Sequence, residues 1–139
     1  MNRNRSFYFP LILIVIVLGI IARDNMAPHG IHPYLGDTLY GLMWFLVFGF
    51  LFKDIAPWKA FVMGMLACYT IEALQLYDSP FLDYIKTYEI GALLLGFTFS
   101  WSDIMSYTLG GILGITAEYH YLKKLSQKTT LATVKNHRD

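Results

Sequence analysis

The sequence predicts an all-α polytopic membrane protein with four transmembrane helices, a short re-entrant or interfacial segment at about residues 81–99, and both termini cytoplasmic. Three observations predict it. Only 15% of the 139 residues are charged and 55% are hydrophobic, whereas an average globular chain carries about 25% charged residues. Four apolar runs are long enough, as helices, to approach the thickness of a ~30 Å hydrocarbon core. The lysines and arginines fall almost entirely on one side of the topology that these runs define.

The first run, Phe7 to Ala22, follows Arg3 and Arg5. A basic start before an apolar centre also suits a signal peptide, but the run lacks an A-x-A-like cleavage site and ends in Arg23-Asp24. It reads as an uncleaved membrane helix extended towards Met26, with Arg23 snorkelling. Pro28, Gly30 and Pro33 then break the chain. The second run, Leu35 to Phe52, is closed by Lys53-Asp54 and Pro57, and the third, Trp58 to Leu76, by Tyr77-Asp78-Ser79-Pro80. Asp83, Lys86 and Glu89 make the next stretch too polar to cross, and the apolar part that follows, Ile90 to Phe99, is too short. Ser100, Ser102 or Asp103 can cap a new helix start, since their oxygens accept from free backbone N–H groups. The last run, Ile104 to Leu122, is closed by Lys123-Lys124. Residues 1–125 thus form one helical-bundle domain, and the polar tail 126–139 is expected to be poorly ordered.

With four crossings, Arg3, Arg5, Lys53, Lys59 and the basic residues from Lys123 onward share one side, leaving only Arg23 and Lys86 on the other. The positive-inside rule puts both termini in the cytoplasm. The acids distribute oppositely. Asp24, Asp37, Glu72, Asp78, Asp83, Glu89 and Asp103 all fall towards the external face. The formal net charge is only +1 and the basic residues read as topology anchors, so no nucleic-acid partner is expected. The single cysteine, Cys68, sits in an apolar run and reads as a small core residue.

Glu72 stands out because it interrupts an apolar helix, where an acid is costly and marks a functional-site candidate. Gln75 lies one turn on, on the same face. Ala60, Gly64 and Cys68 lead up to Glu72 at steps of four, and Ser106, Gly110 and Gly114 repeat at four in the last run. Such small-residue stripes let helices approach closely, within the chain or between copies or partners. The bland alternatives are a hydrated interfacial acid or an ion pair with Arg23 for Glu72, and plain N-caps for Asp37 and Asp103. His29 and His32 do not make up the three or four ligands of a zinc site, so neither a metal nor a cofactor is expected.

The series Tyr34-Leu35-Gly36-Asp37, Glu72-Ala73-Leu74-Gln75-Leu76-Tyr77, Lys86-Thr87, Gly91 to Gly96, and Phe99-Ser100-Trp101-Ser102-Asp103 with Tyr107 and Gly110 resembles the bacterial DUF2809 family of small membrane proteins, over roughly residues 7–122. More distantly, Glu72-x-x-Gln75 followed by Asp103, Tyr107, Gly110-Gly111 and Gly114 is similar to the VanZ-like pattern. Lys86 stands where that pattern has Arg, and Tyr107 where it has Asn. DUF2809 has no established activity, while the VanZ-like resemblance implies a role at the cell envelope of the bacterial inner membrane. The resemblance implies a site of Asp37, Glu72, Gln75, Lys86 and Asp103 at the external face. The convergence of acids, Gln75, Arg23, Lys86 and aromatic groups at that interface suits an amphipathic or lipid-linked molecule, with Asp37, Gln75, Lys86 and Arg23 as its binding residues. Were the site an enzyme's, Glu72 would be the general acid or base, with Asp103 as the second catalytic candidate. A non-enzymatic accessory subunit that packs against partner helices is the alternative, and a proton- or cation-coupled carrier ranks last.

Overall fold

The computed structural model describes residues 3–23, 32–76, 79–96 and 99–136, with Arg23, His32, Pro33, Glu89, Leu93 and residues 125–136 described by backbone alone. It is all-helical among these residues: α1 Arg5–Arg23, α2 His32–Leu51, α3 Pro57–Gln75, α4 Pro80–Lys86, α5 Glu89–Leu95 and α6 Trp101–Asn136. The four long helices lie where the apolar runs place them. Pro57 occupies the first turn of α3, where its missing N–H leaves no bond unmade.

Helix α2 is the hub. It packs against α1, α3 and α6, and α3 also packs against α6, while α5 touches α3 and α4 touches α5. The small-residue stripes explain this arrangement. Ala60 and Cys68 are fully buried, and a Cβ on Gly64 would press on the α2 backbone at Trp44 and Phe45. Gly110 lies against the Thr38 carbonyl and Gly41 against the backbone of Tyr107, so α2 and α6 meet main chain to main chain. Both stripes are therefore spent within the chain. Around these contacts sit Ile12, Val15, Phe45, Leu46 and Ala60 in one cluster and Met65, Cys68 and Tyr107 in another.

The outward surface is apolar: Leu13, Ile14 and Val17 on α1 and Leu109, Ile112 and Leu113 on α6 are exposed. Surfaces of that kind are found against lipid or a partner, not against water. Among the described helices, Arg5–Ala22 and Tyr34–Leu51 are apolar enough and long enough to cross a membrane, and α3 joins them only when taken together with α4. Helices α3 and α6 are less apolar along their length, with Lys59 and Glu72 in α3 and Asp103, Glu118 and His120 in α6. Helices α4 and α5, seven residues each, rise only about 10 Å and are too short to cross.

Two expectations are corrected. Helix α2 starts at His32, so Asp37 lies inside it and is not its N-cap. The tail is not irregular: α6 continues to Asn136, because no glycine or proline follows Gly114 before that point to stop it.

The end of the bundle where α1 begins is closed by arginines. Arg3 donates from Nε to Glu118 Oε1 at 2.7 Å and from Nη2 to Oε2 at 3.2 Å. It also donates from Nη1 to the carbonyls of Phe52 and Ile55. Arg5 donates to the carbonyls of Phe50 and Leu51. The two side chains thus satisfy carbonyls at the C-terminal end of α2, where a cation also suits the helix dipole. Arg3 and Glu118 are both buried.

Replacing Gly110 with Ala should lower stability by about 1–3 kcal/mol, since the new methyl has only backbone to displace. Leu109→Ala, on the exposed face, should change little; thermal melting in detergent compares the two. Arg3→Leu should cost about 3–5 kcal/mol by leaving Glu118 buried without its partner. The double variant Arg3→Leu/Glu118→Leu should recover part of that loss in the same assay, which is the mark of coupling between the two sites.

Candidate functional site

At the opposite end, the chain is broken between α5 and α6. A helix that stops inside an apolar bundle leaves carbonyls behind it and N–H groups ahead of it, each costing several kcal/mol if unmet there. Side chains from the two neighbouring helices meet them. From α2, the Tyr40 hydroxyl donates to the Leu94 carbonyl at 2.6 Å. From α3, Gln75 Nε2 donates to the Leu95 carbonyl. The chain then turns at Gly96, whose φ of 65° suits glycine alone and whose missing Cβ leaves room for the Gln75 amide. On the far side of the break, the Ser100 N–H donates to Glu72 Oε1 at 2.8 Å. Ser100 is the residue just before α6, so Glu72 receives the incoming helix from a different element.

The second carboxyl oxygen of Glu72 accepts from the Tyr107 hydroxyl at 3.2 Å. Glu72 is 1% exposed and Tyr107 4%. Tyr107 in turn packs its ring against Tyr40, with centroids 5.4 Å apart. Asp37, itself buried, and Asp103 lie within electrostatic range of the Tyr107 hydroxyl. Asp103 accepts from Ser102 Oγ, which also shares a hydrogen bond with Ser100 Oγ. A further tie between α3 and α6 runs from the Tyr69 hydroxyl to Thr108 Oγ1 at 2.6 Å, with Thr108 donating to the Ile104 carbonyl.

Of the residues singled out from the sequence, the structure gathers Glu72, Asp37 and Asp103 around Tyr107. Gln75 is placed one turn along, on the α5 terminus. Lys86, half-buried at the end of α4, makes no ion pair among the described residues and stays apart from this cluster. Arg23 closes α1, with its side chain outside the described residues. The reading of Glu72 as a hydrated interfacial acid is overturned by its burial and its two protein donors. His29 and Asp78 fall outside the described residues, and among those described no cluster of His, Cys, Asp or Glu could hold a metal.

Tyr107 is the residue that sequence reasoning undervalued. It entered as a motif residue and as a departure from the VanZ-like pattern, although its place four residues after Asp103 and three before Gly110 put it on the close-packed face of α6. Tyr40 carried no sequence signal of its own, and Ser100 was read as a possible cap of the last helix, whereas its own N–H is the group that Glu72 receives. Arg3 was read as a topology anchor, whereas the structure makes it the partner of Glu118.

Fold and centre together define a small helical bundle, apolar outside, with a buried hydrogen-bonded acid at its core. The chain belongs to the family described as "Protein of unknown function (DUF2809)", whose model matches residues 26–111. The match is narrower than the motif resemblance, which runs over roughly residues 7–122. It contains the whole Glu72–Tyr107 centre and the α5–α6 break, and leaves out α1 and Glu118. No solved structure matches the chain.

Glu72→Leu should strand both the Ser100 N–H and the Tyr107 hydroxyl, at about 1–3 kcal/mol for each buried group left unmet. Tyr107→Phe, which removes a single donor, should cost less, and Glu72→Gln, which keeps an acceptor for Ser100, less than Glu72→Leu. The ranking is read from melting temperatures of the purified variants, and equal melting of Glu72→Leu and wild type would show that the break is held by something else.

Proposed function

We propose that the protein crosses the bacterial cytoplasmic membrane four times, with both termini inside, and binds an amphipathic or lipid-linked envelope molecule at the external face. The observation that carries the binding reading is an apolar cleft of about 220 Å³ between α1, α2 and α5, lined by Ile16, Ile20, Leu39 and Met43 together with Tyr40 and Leu94. The Tyr40–Leu94 hydrogen bond makes the wall of this cleft part of the same construction as the Glu72–Tyr107 centre. An apolar chain fits the cleft. Lys86 and Arg23 are the groups to meet an anionic head, and Asp37 and Gln75 a hydroxyl or other hydrogen-bonding one. Lys86 offers a point charge suited to a phosphate or carboxylate.

Four crossings are supported by the length of α3, nineteen residues or about 28 Å of rise, close to the ~30 Å core. Helix α6 is longer still. The asymmetry of lysine and arginine supports the orientation. A reporter fused to either end should be active only on the cytoplasmic side; external activity at one end would break the four-crossing reading.

A second reading is favoured by one feature of the centre. Both Glu72 oxygens are committed to protein donors, and Gln75 is committed to a helix end, as in a purely structural or accessory subunit. Binding of a long-chain alkyl or polyprenyl phosphate to purified protein in nanodiscs separates the two. The binding reading expects a saturable rise in melting temperature, abolished by Met43→Trp in the cleft and weakened roughly tenfold by Lys86→Gln, about 1.4 kcal/mol. No shift with any such amphiphile, in a correctly folded wild type, favours the accessory subunit. If the bound molecule is also transformed, Glu72→Gln should abolish turnover while retaining binding, because an amide cannot exchange the proton.

A further inference from the structure

Helices α1 and α6 both pack on α2, and among the described residues they meet each other at the end where α1 begins, through the rings of Phe7 and Tyr121. Between them lies a second cavity, of about 910 Å³, whose walls include Leu11 and Val15 of α1, Leu42 and Leu46 of α2, and Leu113 and Ala117 of α6. It shares only Val15 with the lining of the smaller cleft, and an inference from it stands apart from the reading of that cleft. Its volume lies in the range of small-molecule sites, about 300–1,000 Å³.

Three features narrow the occupant. At the end where α1 begins, the cavity is bridged by the Arg3–Glu118 pair and by the stacked rings of Phe7 and Tyr121, 6.4 Å apart and nearly parallel. Along α6 the lining runs from Leu113 to Leu122, about 14 Å of helix rise. That is roughly half of a ~30 Å hydrocarbon core, the depth of one leaflet. A crossing helix, from a second copy or another protein, needs the whole thickness and is blocked by the bridge. A free fatty acid would bring its carboxylate towards Glu118, while Arg3 already donates to both Glu118 oxygens and to two backbone carbonyls. The closed end offers no uncompensated charge. What fits is an apolar chain that enters sideways between the helices, ends within the leaflet, and keeps its head outside.

We propose that this groove holds one acyl chain of a membrane phospholipid from the leaflet on the side where α1 begins, as a bound structural lipid between α1 and α6. The occupied groove supplies the packing that α1 and α6 do not give each other beyond the Phe7–Tyr121 stack, and adds to the hold of Arg3 at the start of α1. Ala117 and Leu113 are both exposed on α6, and larger side chains there fill the groove without displacing the α2–α6 contact.

Native mass spectrometry of the full chain, extracted in mild detergent from membranes, tests this. The wild type should carry one phospholipid per chain. Ala117→Phe and, independently, Leu113→Trp should retain at least tenfold less, with helical content unchanged by circular dichroism. A wild type without bound phospholipid, equal retention in both folded variants, a fatty acid in its place, or a dimer that excludes lipid would each overturn the proposal. So would lipid bound in wild type and variants alike after exchange of the bulk lipid, since it would then lie elsewhere.

Discussion

The structure depends on what happens to backbone hydrogen bonds where helices end in apolar surroundings. In lipid there is no water to take them, and each unmet group there costs several kcal/mol. The break between α5 and α6 is the sharpest case. Tyr40 and Gln75 cover the carbonyls left by α5, Gly96 turns the chain, and Glu72 receives the first N–H group of the incoming helix. These side chains come from α2 and α3, so the break can exist only if those helices are already in position. That requirement ties together the small-residue contacts, the buried acid and the short helices α4 and α5.

The same problem recurs at the other end with a different solution. There the last carbonyls of α2 are met by Arg3 and Arg5. A buried guanidinium would itself be costly, and Glu118 offsets its charge with two hydrogen bonds. A buried pair of this kind adds little net stability compared with well-packed apolar groups, yet removing one member is expensive. Its consequence here is geometric: it links the chain just before α1 to α6, beside the stacked rings of Phe7 and Tyr121. The family match spans the residues of the first solution and not Arg3, Arg5 and Glu118 of the second.

Much of this was legible in the sequence. The apolar runs located α1, α2, α3 and the first half of α6 within a few residues, because length and charge depletion are local properties. The stripes Ala60/Gly64/Cys68 and Ser106/Gly110/Gly114 announced close approach, since only small residues at steps of four allow it. Glu72 announced itself by cost alone. For Asp37 the sequence left open a site or a cap at the helix start, and the start of α2 at His32 removes the cap. Lys86 shows the limit in the other direction: its type suited the site, and its place on α4 keeps it out of the cluster.

What the sequence alone determined is the kind of protein: helices too apolar for water, one acid that needed partners, and faces that had to pack. What only the tertiary structure decided is who those partners are. Ser100 and Tyr107 lie 28 and 35 residues from Glu72, and Glu118 lies 115 residues from Arg3. Periodicity within one helix carries no information about which neighbour it faces. A buried polar group fixes that a donor must come, but the donor is chosen by the way α2, α3 and α6 cross, and that is a property of the whole bundle.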